Sequence, residues 1–298
     1  MANFFLGQGF FNTGDYRRAI DHCQRNVAIL TGERAYQRLG LTGLPSVLSR
    51  TWLAWSLSER GEFQDAVVHA KEALSIAEAA GQAYSMATAN LNLGHVLLSR
   101  GAHAEAIPSL EQAAELCKTF DLGVIYPTTA AVLGLAQALA GRDGDALRMV
   151  KESEALASEV RIFDTPTART ALARVCFLAD SMDEAAGAAS RIAEWAANGG
   201  FRGTQARAFQ LLGDINAGRA PPDMDRAEEH YHRALALADD LGMRPVAAHC
   251  HAGLGRLYGR MDRGPQAREQ LGTAVEMYRG MGMGFYAEQA HVALGELE

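Results

Sequence analysis

The sequence predicts an all-α fold: a right-handed α-solenoid of about seven helical hairpins, closed at its C-terminal end by one further helix. Three observations predict it. Seven alanines, Ala19, Ala66, Ala106, Ala146, Ala185, Ala227 and Ala267, stand 47, 40, 40, 39, 42 and 40 residues apart. Another small residue lies twelve before six of them: Gly7, Ala54, Gly94, Gly134, Ala173 and Gly255. Between the two falls a helix-stopping position, five before the alanine, held by Gly14, Gly61, Gly101, Gly141, Asp180, Pro222 and Asp262. A fixed period near 40 marks stacked units, each burying its face only against its neighbours.

Each unit reads as two helices. In the third, Leu91, Gly94, Val96, Leu97 and Leu98 give the first helix a broad apolar face. After the stop at Gly101, residues Ala106, Ile107, Leu110, Ala113, Ala114 and Cys117 recur at the three-and-four spacing of a half-buried helix. The small pair sets how closely the two helices approach, and leucine at either place would overpack the contact. In the sixth unit Gly213 stands fourteen before Ala227, because the turn 217–225 is about two residues longer. The 47-residue step belongs to the first connection, residues 31–47, which carries Gly32, Gly40, Gly43 and Pro45 and predicts a loop, or an extended helix followed by a loop. The repeats fall near 2–30, 47–80, 83–120, 126–160, 165–198, 203–241 and 245–281, with a cap helix at 285–297, as one superhelical domain of a larger protein.

Composition narrows the function. The chain has 298 residues, 48% of them hydrophobic and 21% charged, which is a folding rather than a disordered composition. A net charge of −7 disfavours general nucleic-acid binding. No apolar run approaches a membrane span, and the first residues lack a secretory signal, so the reading is a cytoplasmic protein without membrane contact. Cys23, Cys117, Cys176 and Cys250 form no CxxC pair and read as buried free thiols.

Catalytic chemistry finds no foothold. The sequence holds no phosphate-loop, nucleophile-elbow, HExxH or calcium-loop motif. His230 with His232, and His249 with His251, are two apart, so on a helix they point roughly 200° apart and cannot share a metal. Asp223 and Asp225 lie in a proline-rich turn that offers no enclosing pocket. Met277, Met281 and Met283 read as packing for the last helix pair. No cofactor, metal or enzymatic activity is expected.

The ladder resembles the tetratricopeptide repeat, whose signature pairs a small residue in helix A with an alanine early in helix B and another seven later. Ala73, Ala113, Ala234 and Ala274 fill the later place, Ser153 substitutes for it, and Asn26 and Ile192 depart from it. The period is that of the long variant found in bacterial signalling ATPases and transcription regulators. Residues 14–63 and 226–283 look like the C-terminal repeat region of bacterial proteins that carry an adenylate/guanylate cyclase-type domain and an AAA-like ATPase. The resemblance implies a non-catalytic scaffold or sensor for a protein or peptide partner in signalling. The alternative is an inducer-sensing domain with a cavity inside the superhelix, regulating an attached or partner ATPase, cyclase or transcription regulator.

In such solenoids the helix A side chains six and three before the small residue, and one and five after it, line the concave face. Here these are Thr51, Trp55 and Glu59, then Thr88, Leu91, His95 and Ser99 with Asn92 beside them. Later repeats give Thr167, Thr170 and Arg174, then Arg207, Gln210 and Asp214, then His249, Arg256 and Arg260. Trp55 reads as facing a ligand and Trp52 as inter-helix core. The four arginines suit carboxylate or phosphate groups; the bland reading leaves them solvated. A polar and arginine-lined surface would favour the peptide, and a closed apolar pocket the inducer. Phe4, Phe5, Phe10 and Phe11 crowd the first helix, which predicts an apolar N-terminal end that pairs with a second copy or an upstream domain. The C-terminal end is expected to be closed.

Overall fold

A computed structural model describes residues 2–142, 146–160 and 166–297, with side chains omitted at 154–160. The start of the fifth repeat at 165, and Glu298 of the cap, lie outside them. The described residues form fifteen α-helices and no strand. The first seven are α1 (Ala2–Thr13), α2 (Tyr16–Ile29), α3 (Pro45–Glu59), α4 (Phe63–Ala80), α5 (Ala83–Arg100), α6 (His103–Thr119) and α7 (Tyr126–Leu139). They continue as α8 (Ala146–Val160), α9 (Pro166–Leu178), α10 (Met182–Gly199), α11 (Arg202–Gly218), α12 (Met224–Leu241), α13 (Arg244–Arg260), α14 (Gly264–Gly280) and α15 (Gly284–Gly295). Odd-numbered helices are the A helices of successive hairpins, and α15 follows in phase as an eighth A helix. The first connection holds a short 3-10 turn, Gly32–Tyr36, followed by a loop.

The alanine ladder sits at the hairpin contacts, and all seven alanines are buried. Opposite them the small residues face the side chain one turn further along helix B. A Cβ on Gly94 would lie 2.7 Å from Leu110 Cδ2 and 3.2 Å from the Ala106 carbonyl oxygen. Gly134 meets Val150 and Ala146, and Gly255 meets Leu271, in the same way. Where the alanine seven later is replaced, the place is still buried. Ser153 donates to the Pro127 carbonyl at 2.7 Å, Asn26 donates to Ser49 Oγ at 3.2 Å, and Ile192 packs as a hydrophobe.

Hairpin turns need one residue in the left-handed region. Gly14, Gly61, Gly101 and Gly141 supply it, and so do Asp180 and Asp262, at φ 58° and 56°. Aspartate tolerates this conformation better than most side chains because of its short polar group. Pro222 cannot adopt it, and the longer turn between α11 and α12 takes another path.

The superhelix turns back on itself. Gly14, in hairpin one, lies against Leu241 and Gly203, at the two ends of hairpin six. Gly61, in hairpin two, lies against Met281 and Arg244, at the two ends of hairpin seven. Gly101, in hairpin three, lies against Phe285 and Tyr286 of α15. The partner is each time five hairpins on, so the first coil rests on the second along a seam of turns. Met281 and Met283 are buried in this seam and Met277 is partly buried, the packing role read from sequence.

The N-terminal expectation needs correction. Phe4 is buried, and Phe11 packs on Tyr16, Trp52 and Trp55 with centroids 5.6, 5.2 and 6.0 Å away. Phe10 stacks on His22 of the following helix at 5.4 Å. Only Phe5, with Leu6, is exposed. The difference lies in α3: Phe11 reaches Trp52 and Trp55 there as well as Tyr16 of α2, so the phenylalanines have more than one helix to pack against.

Candidate functional site

A cavity of about 660 Å³, partly open to solvent, lies between the coils. Along the first coil its wall is built by the A helices over their whole length. Positions spaced three and four apart on α3 (Leu48, Thr51, Trp52, Trp55, Glu59) and on α5 (Tyr84, Thr88, Leu91, His95, Ser99) all face it. Along the second coil the A helices reach it mainly with their earlier turns, through Thr167, Thr170 and Arg174, then Arg207 and Gln210, then His249. Tyr286 of α15 completes the circuit.

All three tryptophans of the chain line this cavity. Trp52 and Trp55 meet edge to face at 5.1 Å. Trp195, at the end of α10, stacks on Phe201 at 4.7 Å with the Arg169 guanidinium above it. Trp52 therefore has a second role beside its core contacts, which the sequence reading assigned to Trp55 alone. Trp195 and Phe201 were missed because they sit on a B helix and on the turn after it, outside the concave-face rule. The rarity of tryptophan in the chain was the signal that could have found them.

The charges in the wall are matched. Arg207 donates to Glu59 across the seam, and Glu59 is almost wholly buried. Arg174 Nη1 lies 3.4 Å from Asp214 Oδ2, and Asp214 also accepts from Gln210 and from the Tyr231 hydroxyl at 2.8 Å. Most inward hydroxyls are turned back on their own helix. Thr51, Ser58, Thr88 and Thr170 each donate to the carbonyl four residues earlier, at 3.2, 2.8, 2.8 and 2.7 Å.

Both inward histidines are held neutral. Burial and the neighbouring Arg207 push His95 down to about 3. Burial, with Arg174, Arg207 and Arg256 nearby, pushes His249 down to about 3, and its Nδ1 lies 2.7 Å from the Tyr278 hydroxyl. Three polar atoms of the wall have no hydrogen-bond partner: Trp55 Nε1, Glu59 Oε2 and His95 Nδ1.

Several residues expected on the ligand face are elsewhere. Asn92 is fully buried, with its amide nitrogen on the Thr51 carbonyl at 3.2 Å, and it ties α5 to α3. Asp214 stands behind the wall. Arg260 is exposed and donates to the Ala217 carbonyl at the end of α11. Arg256 is exposed and outside the lining. In α11 and α13 the C-terminal halves run beyond the cavity, so positions one and five after Gly213 and Gly255 leave it, whereas Arg174, one after Ala173, stays in the wall. The histidine pairs diverge as their spacing requires, with His251 on Gln270 at 2.7 Å while His249 faces inward. Among the described residues no group of three or more His, Cys, Asp or Glu side chains is placed to hold a metal ion. No described helix is long and apolar enough to cross a membrane.

Comparison with known proteins agrees with the ladder and the fold. Two tetratricopeptide-repeat family models match the chain, at residues 49–80 and 85–159. Residues 49–80 and 85–159 thus read as tetratricopeptide repeats, and the remaining hairpins continue the same solenoid. No curated protein sequence matches the chain. Among solved structures, a Rap protein complexed with Competence and Sporulation Factor is similar over 94% of this chain and 74% of its own, at a TM-score of 0.70 and 14% identity. The hetero-tetramer Cut9–Hcn1 of the APC/C is similar over 95% of this chain and 48% of its own, with TM-score 0.60 and 14% identity. BtubC from P. vanneervenii is similar over 74% of this chain and 92% of its own, with TM-score 0.53 and 16% identity. At these identities the likeness is one of fold.

Proposed function

We propose that this chain is a non-catalytic sensor scaffold that takes a small, largely apolar ligand into the cavity between its two coils. One observation carries the reading: the two coils flank a cavity of about 660 Å³, partly open to solvent, and set all three tryptophans of the chain on its wall. That volume is within the range of small-molecule sites, which are concave, mainly apolar and fixed by a few polar groups. Of the two occupants left open by the sequence, a cavity of this size with a mainly apolar, ring-bearing lining favours the inducer-type ligand over a long protein segment. An α-helix is about 10–12 Å across with its side chains and needs an open groove. A short peptide fits the same terms. That a Rap protein of similar fold is complexed with a factor is a property of that protein, and it accords with this reading.

The seam offers the route for a signal. A ligand touching α3 and α5 on one side and α9 and α11 on the other binds most tightly to one relative placement of the coils. Binding therefore shifts the population toward that placement, by as much as the difference in affinity allows. A partner protein or attached domain would read this placement.

The test uses N-phenyl-1-naphthylamine, a neutral apolar fluorophore. It should bind one per chain and emit when tryptophan is excited. Thr88→Phe, which fills the chamber, should abolish that emission while the helical circular dichroism is kept. Absence of binding, or binding that survives Thr88→Phe, would overturn the reading.

A further inference from the structure

We propose that the cavity recognises a neutral ligand with a ring-bearing apolar body and one amide-like head group, seated at Trp55, Glu59 and His95; this rests on the cavity being the binding site. The head must both donate and accept hydrogen bonds. Three features of the wall lead to it.

The first is what the wall does not need. Its inward hydroxyls on Thr51, Ser58, Thr88 and Thr170 already donate to their own helices. Arg207 is matched by Glu59, and Arg174 by Asp214. A carboxylate or ammonium entering here finds no unmatched counter-charge, yet it gives up its hydration, so a charged ligand is disfavoured. An elongated apolar body suits the rings and leaves these groups undisturbed.

The second is what the wall does need. Trp55 and Glu59 are one turn apart on α3, and His95 on α5 lies against Trp55 with centroids 5.3 Å apart. In this one place a donor, Trp55 Nε1, an acceptor, Glu59 Oε2, and the ring nitrogen His95 Nδ1 are all buried without partners. Indole N–H can only donate and an ionised carboxylate can only accept. One group that answers both has an N–H and a C=O side by side, which is the amide. Native interiors rarely leave such groups unpaired, and a cluster of them beside a cavity is what an absent partner would leave behind. The Trp55 and His95 rings close over these atoms, so a head group reaches them only if one of the two rings turns aside on binding.

The third is electrical neutrality. With His95 pushed down to about 3, its ring is uncharged and keeps one donor and one acceptor. The Glu59–Arg207 pair is neutral as a unit. The head group therefore meets dipoles rather than net charge.

The amide could be a free carboxamide or the backbone of a short peptide, and the test separates them. Five probes are titrated by calorimetry against the full chain: 1-naphthaleneacetamide, 1-naphthaleneacetic acid, 2-(1-naphthyl)ethylamine, 1-ethylnaphthalene and the capped dipeptide N-acetyl-Phe-Leu-amide. At least one of the two amide probes should bind about tenfold or more tightly than the acid, the amine and the hydrocarbon, a factor that one good hydrogen bond supplies. The better of the two identifies the source. Trp55→Phe keeps a ring but removes the donor and should erase most of the amide preference, whereas Trp52→Phe should weaken all probes alike. The wild-type ranking stands as a test even if a variant fails to fold. Equal binding of all head groups, or an amide preference that survives Trp55→Phe, would overturn the head-group assignment and leave the cavity reading intact. No binding by any probe would overturn both.

Discussion

Arg207, near the start of α11, donates to Glu59 at the end of α3, a residue 148 positions earlier in the chain. The pair joins hairpin six to hairpin two, and no local rule of helix packing calls for it. It exists because the superhelix comes full circle and lays its second coil on its first. Glu59 is buried at this joint, whereas Arg207 keeps about a third of its surface in the cavity.

Removing one member of such a pair strands the other. Breaking a buried ion pair costs about 3–5 kcal/mol in general, and the partial exposure of Arg207 places Arg207→Met lower, at about 2 kcal/mol. Glu59→Met should cost a similar amount, but the double variant should recover much of the loss, since no buried charge is left alone. Urea unfolding of the four species gives the coupling. Strict additivity would show that the two residues do not act as a pair.

Hairpin packing makes opposite predictions for two helical glycines. At Gly94 an added Cβ collides with Leu110, so Gly94→Ala should cost about 1–3 kcal/mol, as overpacking does. At Gly272, inside α14, nothing lies within 4 Å of the added atom. There the helix preference of alanine acts alone, and Gly272→Ala should stabilise by about 0.5–1 kcal/mol. Thermal melts of the two variants check the register directly, because a slip of one residue would exchange their environments.

The hairpins were legible in the sequence because a close helix contact leaves a strict demand for small residues, and Gly94 and Ala106 record it at a fixed interval. The turns were legible for the same reason: only a few residue types accept the left-handed region, and Asp262 is one of them. The seam was not legible. It depends on the small rotation added by each hairpin, summed over five, and no single residue records that sum. The cavity stood in the sequence reading only as an alternative, and other features decided by the seam were missed, including the inward turn of Trp195, the matching of Arg207 by Glu59 and the outward position of Arg256. Concave-face residues were placed well where the local rule suffices, as with Trp55, Thr88 and His95. They were misplaced where the second coil outruns the cavity, as with Arg260.

Acid should weaken the fold before its carboxylates titrate. Burial, aided by nearby arginines, lowers His95 and His249 from the usual 6.5 to about 3 in the folded chain. His103 and His230 are shifted the same way by burial. Between about pH 6.5 and pH 3 the unfolded chain thus binds more protons than the folded one, so stability is full above pH 6.5 and declines as the pH falls. By pH 5 the two inward histidines together account for a loss on the order of 2–4 kcal/mol. His95→Gln should flatten this slope measurably in denaturant melts between pH 7 and pH 5. A variant with the wild-type slope would show that His95 is not held neutral.

The N-terminal helix separates packing from association. Phe11 is wedged against Tyr16, Trp52 and Trp55, and Phe4 faces the same cavity. Phe11→Asp sets a carboxylate among aromatic rings with no partner, which should cost about 3 kcal/mol or more through lost packing and desolvation. Phe5, on the same helix, is 56% exposed, and Phe5→Asp should change stability by no more than about 0.5 kcal/mol. A role for the phenylalanines in joining two copies predicts the reverse weighting, with both variants acting on sedimentation and Phe5 most of all. We expect Phe11→Asp to lower the melting temperature and weaken N-phenyl-1-naphthylamine binding, with Phe5→Asp silent in both measurements. Sedimentation velocity should give one unchanged species for wild type and Phe5→Asp. A wild-type dimer that Phe5→Asp dissociates would instead assign the exposed edge of α1 to self-association.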